Sequence, residues 1–137
     1  MTSTENVEGS SMYHGKAIRN GQPSGLRSAT NTGDVWSDIL LNAGNARAIN
    51  IMFPPGARTH WHTHEGGQFI YTISGEGWIQ ERGGERVILN PGDVVWTEPG
   101  VEHWHGASET GLVTQIALHF GNVDWQGAVT DEEYGTS

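Results

Sequence analysis

The chain has 137 residues, with 35% apolar residues, seven lysines and arginines against 16 aspartates and glutamates, and a formal net charge of −9. That length suits one domain, and the acidity repels phosphate backbones and anionic lipid, which argues against nucleic acid and membrane surfaces as partners. The absence of cysteine removes disulfides, thiolate metal sites and thiol nucleophiles together, and fits a cytoplasmic protein.

Residues 1–33 are rich in Ser, Thr, Asn and Gly and read as an irregular, partly disordered N-terminal arm. Their first sixteen residues lack the basic n-region and apolar core of a signal peptide, and no apolar run reaches the ~18 residues of a bilayer span. Residues 34–137 read as a single domain. Val35–Leu41 is a candidate strand, and Ala46–Phe53, "ARAINIMF", alternates and ends at Pro54-Pro55-Gly56. "THWHTH" is β-compatible. "QFIYTISGEGWIQERGGERVIL" reads as three strands separated by glycine turns, and "NPGD" is a further turn. "VVWTEPGVEHWHGASE" gives two more strands about a Pro-Gly turn. Leu112–Phe120, "LVTQIALHF", is a strongly alternating strand, and the tail that follows has the makings of a helical turn. Short strands, turns every 8–12 residues and no long amphipathic helix indicate an all-β sandwich or barrel. Arg58 and the run "QERGGER" read most simply as solvated turn residues.

The histidines are not scattered. His60, His62 and His64 alternate, His103 and His105 repeat the spacing, and Gln115, Ala117 and His119 share one side of the last long strand. Alternate residues of a strand share a face, so these side chains are expected to line one interior, with Trp61 and Thr63 turned away. By the same parity His60 faces inward. Burying five or six imidazoles without a common partner leaves many polar nitrogens unsatisfied, and a metal removes that difficulty. Imidazole suits Zn, Cu, Fe, Ni and Mn, so the donor type alone does not choose the ion.

The stretch Gly56–Gly75 has the form G-x5-H-x-H-x3-Q-x6-G, and "PGDVVWTEPGVEHWH", from Pro91 to His105, supplies a second group of turn and histidine residues. Both resemble the paired motifs of the cupin superfamily, apart from Glu98 where a proline is usual. The resemblance implies a double-stranded β-helix, a jelly-roll barrel, with a divalent metal on His62, His64, Gln68 and His103. It also implies a homodimer or homotetramer. Gln in place of Glu at position 68, the segment around "HWHGA" and the tail "VDW…VTDEEY" further resemble small single-domain bacterial cupins that include manganese-dependent hydroxynitrile lyases. That likeness implies Mn2+ as the cofactor, with Fe2+, Ni2+ or Zn2+ as substitutes. The implied reaction is reversible cleavage of a cyanohydrin, such as mandelonitrile, into aldehyde and cyanide.

Catalytic candidates in that picture are His105, His119, His60 and Gln115. Gln115 stands where those lyases carry a base histidine, while His119 stands where they tend to carry Gln. A neutral Gln ligand leaves the ion near +2, which favours Lewis-acid over redox chemistry. Two other readings remain open: a cupin dioxygenase cleaving C–C or C=C bonds with O2, and a non-catalytic cupin that binds a small ligand.

Overall fold

The computed structural model describes residues 4–6, 11–16 and 24–135. Thr4–Asn6 (β1) and Tyr13–Gly15 (β2) form an antiparallel pair. The expected disorder of the first ten residues and the absence of a leader fall largely outside the described residues. Gly25–Arg27 (β3) and Asn31–Thr32 (β4) precede the long hairpin of Val35–Ala43 (β5) and Ala46–Phe53 (β6). Both join the main sheets, so the sheets take in chain upstream of position 34.

Arg58–Thr59 (β7) and His62–His64 (β8) follow, then Gln68–Gly75 (β9), Gly77–Glu81 (β10) and Val87–Leu89 (β11). Val94–Thr97 (β12), His103–Ala107 (β13), Val113–Phe120 (β14) and Val123–Trp125 (β15) complete the strands. Asp131–Tyr134 (α1) is the expected helical turn. It is closed by a capping box in which Thr130 accepts from the Glu133 amide and Glu133 accepts from the Thr130 amide.

Apart from the β1–β2 pair, the strands form two antiparallel sheets, as the jelly-roll reading requires. One runs β12-β9-β14-β6-β5-β3, and the other β11-β10-β13-β7-β4, with β8 held between β13 and β15. The alternation of "LVTQIALHF" becomes a strict inside–outside pattern: Val113, Gln115, Ala117 and His119 are all buried. Val35, Ile51, Phe53, Ala57, Ala107 and Val113 fill one end of the barrel, and Ile70, Ile79, Leu89 and Ala117 pack beside them.

Two glycines are required by close approach. Gly75 has φ 90°, and a Cβ there would meet the Leu112 carbonyl. Gly106 lies so close to the backbone of Ala57 and Arg58 that any side chain would push β7 away from β13. No helix among the described residues is long and apolar enough to cross a membrane.

A third cluster lies outside the barrel. Trp61, Trp78, Trp104, Val129 and Tyr134 pack together on the outer face of the seven-stranded sheet. Here the reading of Arg58 as a solvated turn residue is corrected, while "QERGGER" runs over an exposed turn as expected. Arg58 is 5% exposed, donates to the Val129 carbonyl at 2.7 Å and to Asp131 at 2.9 Å, and lies over the Tyr134 ring. Arg82 stacks on Trp61 and bonds Glu102 and Glu133, while Arg86 stacks on Trp78. The hydrogen-bond partners of Arg58 in this cluster lie 71 and 73 residues away in sequence, so a local reading could not supply them.

Candidate metal centre

Three histidines from two adjoining strands open the site. His62 on β8 is directly opposite His103 on β13, and His64 follows two positions on, its side chain on the same face. Their ring nitrogens lie within 4.8 Å of one another, and all three residues are buried. Gln68 comes from the other sheet, where β9 pairs with β14 and sets it opposite His119. Trp125 on β15 lies across from His62, its ring 4.6 Å away.

Backbone carbonyls fix which nitrogens face inward. His62 Nδ1 donates to the His60 carbonyl at 2.8 Å, and His103 Nδ1 donates to the Val101 carbonyl at 3.0 Å. Burial holds both rings below the usual histidine range, with neighbouring imidazoles adding to the effect at His62. Each ring is therefore neutral at neutral pH, carries its one proton on Nδ1, and presents Nε2 as a lone pair.

At His103 that lone pair stands 2.9 Å from Gln68 Oε1, which is also an acceptor. No proton is left to lie between them. Two ligands at right angles, each about 2.1–2.2 Å from one ion, would be about 3 Å apart. His64 adds two buried nitrogens with no hydrogen-bond partner. Burial first, then His119, His103 and His105, push its pKa down to about 2. Acceptors that converge without donors are what a cation would satisfy, so the residues fit a divalent metal.

His105 and Gln115 form a separate pair. His105 Nδ1 donates to Gln115 Oε1 at 3.0 Å, and burial, reinforced by His103, pushes the His105 pKa down to about 3. Gln115 is fully buried and orients His105 rather than lining the cavity. His119 stacks on His64 with ring centroids 4.8 Å apart, and its buried Nδ1 has no partner. Burial, and then the Arg47 charge, lower its pKa. His62, His64, Gln68, His105 and His119 border one cavity of ≈ 60 Å³, whose wall also includes Ile49, Ile51 and Val123. That is room for roughly four waters or a compact ligand.

His60 departs from the parity expectation. A bend at Trp61 separates β7 from β8, so the alternation does not run through it. The His60 side chain is half-buried and does not line the cavity. Its backbone does the positioning: the amide donates to the Thr30 carbonyl at 2.9 Å and the carbonyl holds His62. The residue that sequence reasoning passed over is Thr59. It is buried in the cavity wall, and its hydroxyl accepts from the His105 amide at 3.2 Å. Arg27 also lines the cavity, from the segment read as an arm. No local signal marks either one, because both reach the site through pairing between distant strands.

Residues 50–117 match the family described as Cupin domain. The chain is 44% identical over 110 residues to the (R)-mandelonitrile lyase of Granulicella tundricola, covering 75% of this chain and 84% of that protein. A cupin-like protein of Thermotoga maritima superposes with a TM-score of 0.79 at 39% identity, over 82% of this chain and 92% of that one. A polyketide cyclase of Streptomyces resistomycificus, at 15% identity, shares the fold with a TM-score of 0.68 over 87% of this chain and 89% of its own.

Proposed function

The chain belongs to the cupin domain family, and from that premise we propose that it is a metal-dependent carbon–carbon lyase that reversibly splits cyanohydrins such as mandelonitrile. His62, His64, Gln68 and His103 would hold the ion, with Mn2+ our choice of metal. The observation that carries the reading is the approach of His103 Nε2 and Gln68 Oε1 to 2.9 Å, with neither atom able to donate. The 44% identical mandelonitrile lyase supports the substrate class. A divalent ion bound there supplies a Lewis acid that acidifies a hydroxyl group.

The protein's own part is proton transfer, seating and exclusion of water. A base must be neutral to accept the hydroxyl proton, and burial keeps both His105 and His119 neutral at neutral pH. We assign acceptance to His119, whose Nδ1 is unpartnered, and a supporting place to His105, whose Nδ1 is engaged by Gln115. As the proton moves to His119, the C–CN electron pair leaves with cyanide and the carbinol carbon becomes the aldehyde. Cyanide then takes the proton to leave as HCN. Ile49, Ile51, Val123 and Trp125 form an apolar seat for the rest of the substrate.

The test is benzaldehyde release from racemic mandelonitrile by Mn-loaded protein, followed by absorbance. A rate no greater than that of His62→Ala protein rejects the reading. Loss of the rate under anaerobic conditions would transfer it to an oxygen-dependent reaction.

The proposal includes a second copy of the chain. On the outer face of the six-stranded sheet, Val94 and Tyr71 are cross-strand neighbours, as are Trp96 and Phe69. Val94, Trp96, Tyr71 and Ile73 are all exposed. A contiguous apolar face of this kind supports self-association, which light scattering of wild-type and Trp96→Lys protein measures.

A further inference from the structure

The cavity wall is charged at one place only. Among the 14 residues that line it, Arg27 is the sole charged side chain, and no carboxylate is present. This is notable in a chain where acidic residues outnumber Lys and Arg by 16 to seven. Elsewhere, arginines are engaged by oxygen acceptors: Arg58 by Asp131, Arg82 by Glu102 and Glu133, Arg47 by Asn42. Arg27 has one hydrogen bond among the described residues, from Nε to Ser37 Oγ at 2.9 Å.

Arg27 itself is exposed where it borders the cavity; that bond holds the guanidinium by its stem side, and neither terminal NH2 group has an acceptor among the described residues. The backbone beneath is held as well: Asn31 Nδ2 donates to the Arg27 carbonyl at 3.2 Å. That donation turns Asn31 Oδ1 the other way, where it is buried in the cavity wall with no donor. Asn31 is 7% exposed and Ser37 5%, so both anchors are set within the protein.

A planar fork with two unspent NH2 groups matches a carboxylate. We infer that Arg27 is a substrate-binding residue, and that the cavity takes small hydroxy or oxo compounds carrying a carboxylate remote from the metal-held oxygen. The inference deepens the lyase reading and rests on it for the reacting end. The neutral cyanohydrin is then a surrogate that leaves Arg27 unused.

Calorimetric titration of Mn-loaded protein with benzaldehyde and with 2-, 3- and 4-carboxybenzaldehyde, at low salt, tests this. The best carboxylated isomer is expected to bind about fivefold more tightly than benzaldehyde. In Arg27→Gln protein that ratio should fall to near one, and Arg27→Lys should restore part of it. Circular dichroism and manganese content establish that each variant is folded and loaded. Equal affinities in the wild type, or a preference that survives Arg27→Gln, overturn the inference. So does a preference that disappears when the metal is removed, since the carboxylate is then on the ion. Mandelonitrile turnover is assayed on the same sample. A dead lyase with an intact carboxylate preference rejects the reaction and keeps Arg27, whereas an active lyase indifferent to carboxylates does the reverse.

Discussion

Along β13 the side chains of His103 and His105 turn into the barrel, while Trp104 between them turns out. The two sides of this one strand are built on opposite terms. Outside, Trp104 is fully buried, its Nε1 donates to Gln80, and its neighbours Trp61, Trp78 and Tyr134 are each covered by an arginine. Inside, buried nitrogens of His64 and His119 have no partner, and His103 faces another acceptor. The outer side stabilises the fold; the inner side is held in place by the fold and is completed only by something it binds. A buried polar group without a partner costs about 1–3 kcal/mol, so the inner side is tolerable only because the outer side and the apolar core are sound.

His62→Ala should abolish manganese uptake and lower mandelonitrile turnover by on the order of a thousandfold or more, about 4 kcal/mol of barrier. Elemental analysis and initial rates measure both. Trp104→Ala should reduce stability by about 3–5 kcal/mol through the cavity it leaves, seen as a drop in Tm of roughly 10–20 °C. Its opposite number, His64→Ala, should also lose the metal yet change the stability of metal-free protein by less than about 1 kcal/mol, because two unsatisfied nitrogens go with the ring. A destabilisation by His64→Ala as large as that by Trp104→Ala would erase the distinction between the two sides.

Gln68→Glu should bind the ion more tightly and turn over more slowly, on the order of tenfold, about 1.4 kcal/mol of barrier, because the carboxylate takes one positive charge from the site. The last test lies at the rim of the outer side. Thr130→Ala removes the hydroxyl half of the capping box of α1 and should cost about 1 kcal/mol, read from denaturant midpoints. The Thr130 amide, first among several bonds, holds the Glu133 carboxyl below its ordinary 4.5. A depressed carboxylate stabilises the fold above its unfolded pKa. That contribution is intact above about pH 4.5 and fades as the pH falls through the lower folded value. Thr130→Ala keeps that amide, so most of this acid dependence should survive the substitution.

Much of this was legible in the sequence, for reasons of range. Strand alternation is local, so "ARAINIMF" and "LVTQIALHF" declare both their structure and their buried face. The spacing from His62 to Gln68 is local too, and so is the pair His103 and His105. The parity that placed these residues inward failed at His60, because a two-residue break lies between β7 and β8 and resets the alternation. Arg58 was misread because its partners come from the C-terminal turn, 71 and 73 residues on. Thr59 and Arg27 went unnoticed for the same reason: each is brought to the site by a neighbour in space.

The alternation in His103-Trp104-His105 has a consequence for how this chain can vary in length. Deleting one residue from the triplet, or inserting one, would exchange the two sides downstream. An imidazole would then stand in the aromatic cluster, or an indole in the cavity. Gly106 tightens the constraint, since only a residue without a side chain can follow where β13 meets Ala57 and Arg58. Length changes should be tolerated instead at a turn such as Gly83, where nothing approaches within 4 Å. An insertion scan across residues 80–107, scored for soluble protein and manganese content, should show tolerance at that turn and intolerance through the triplet.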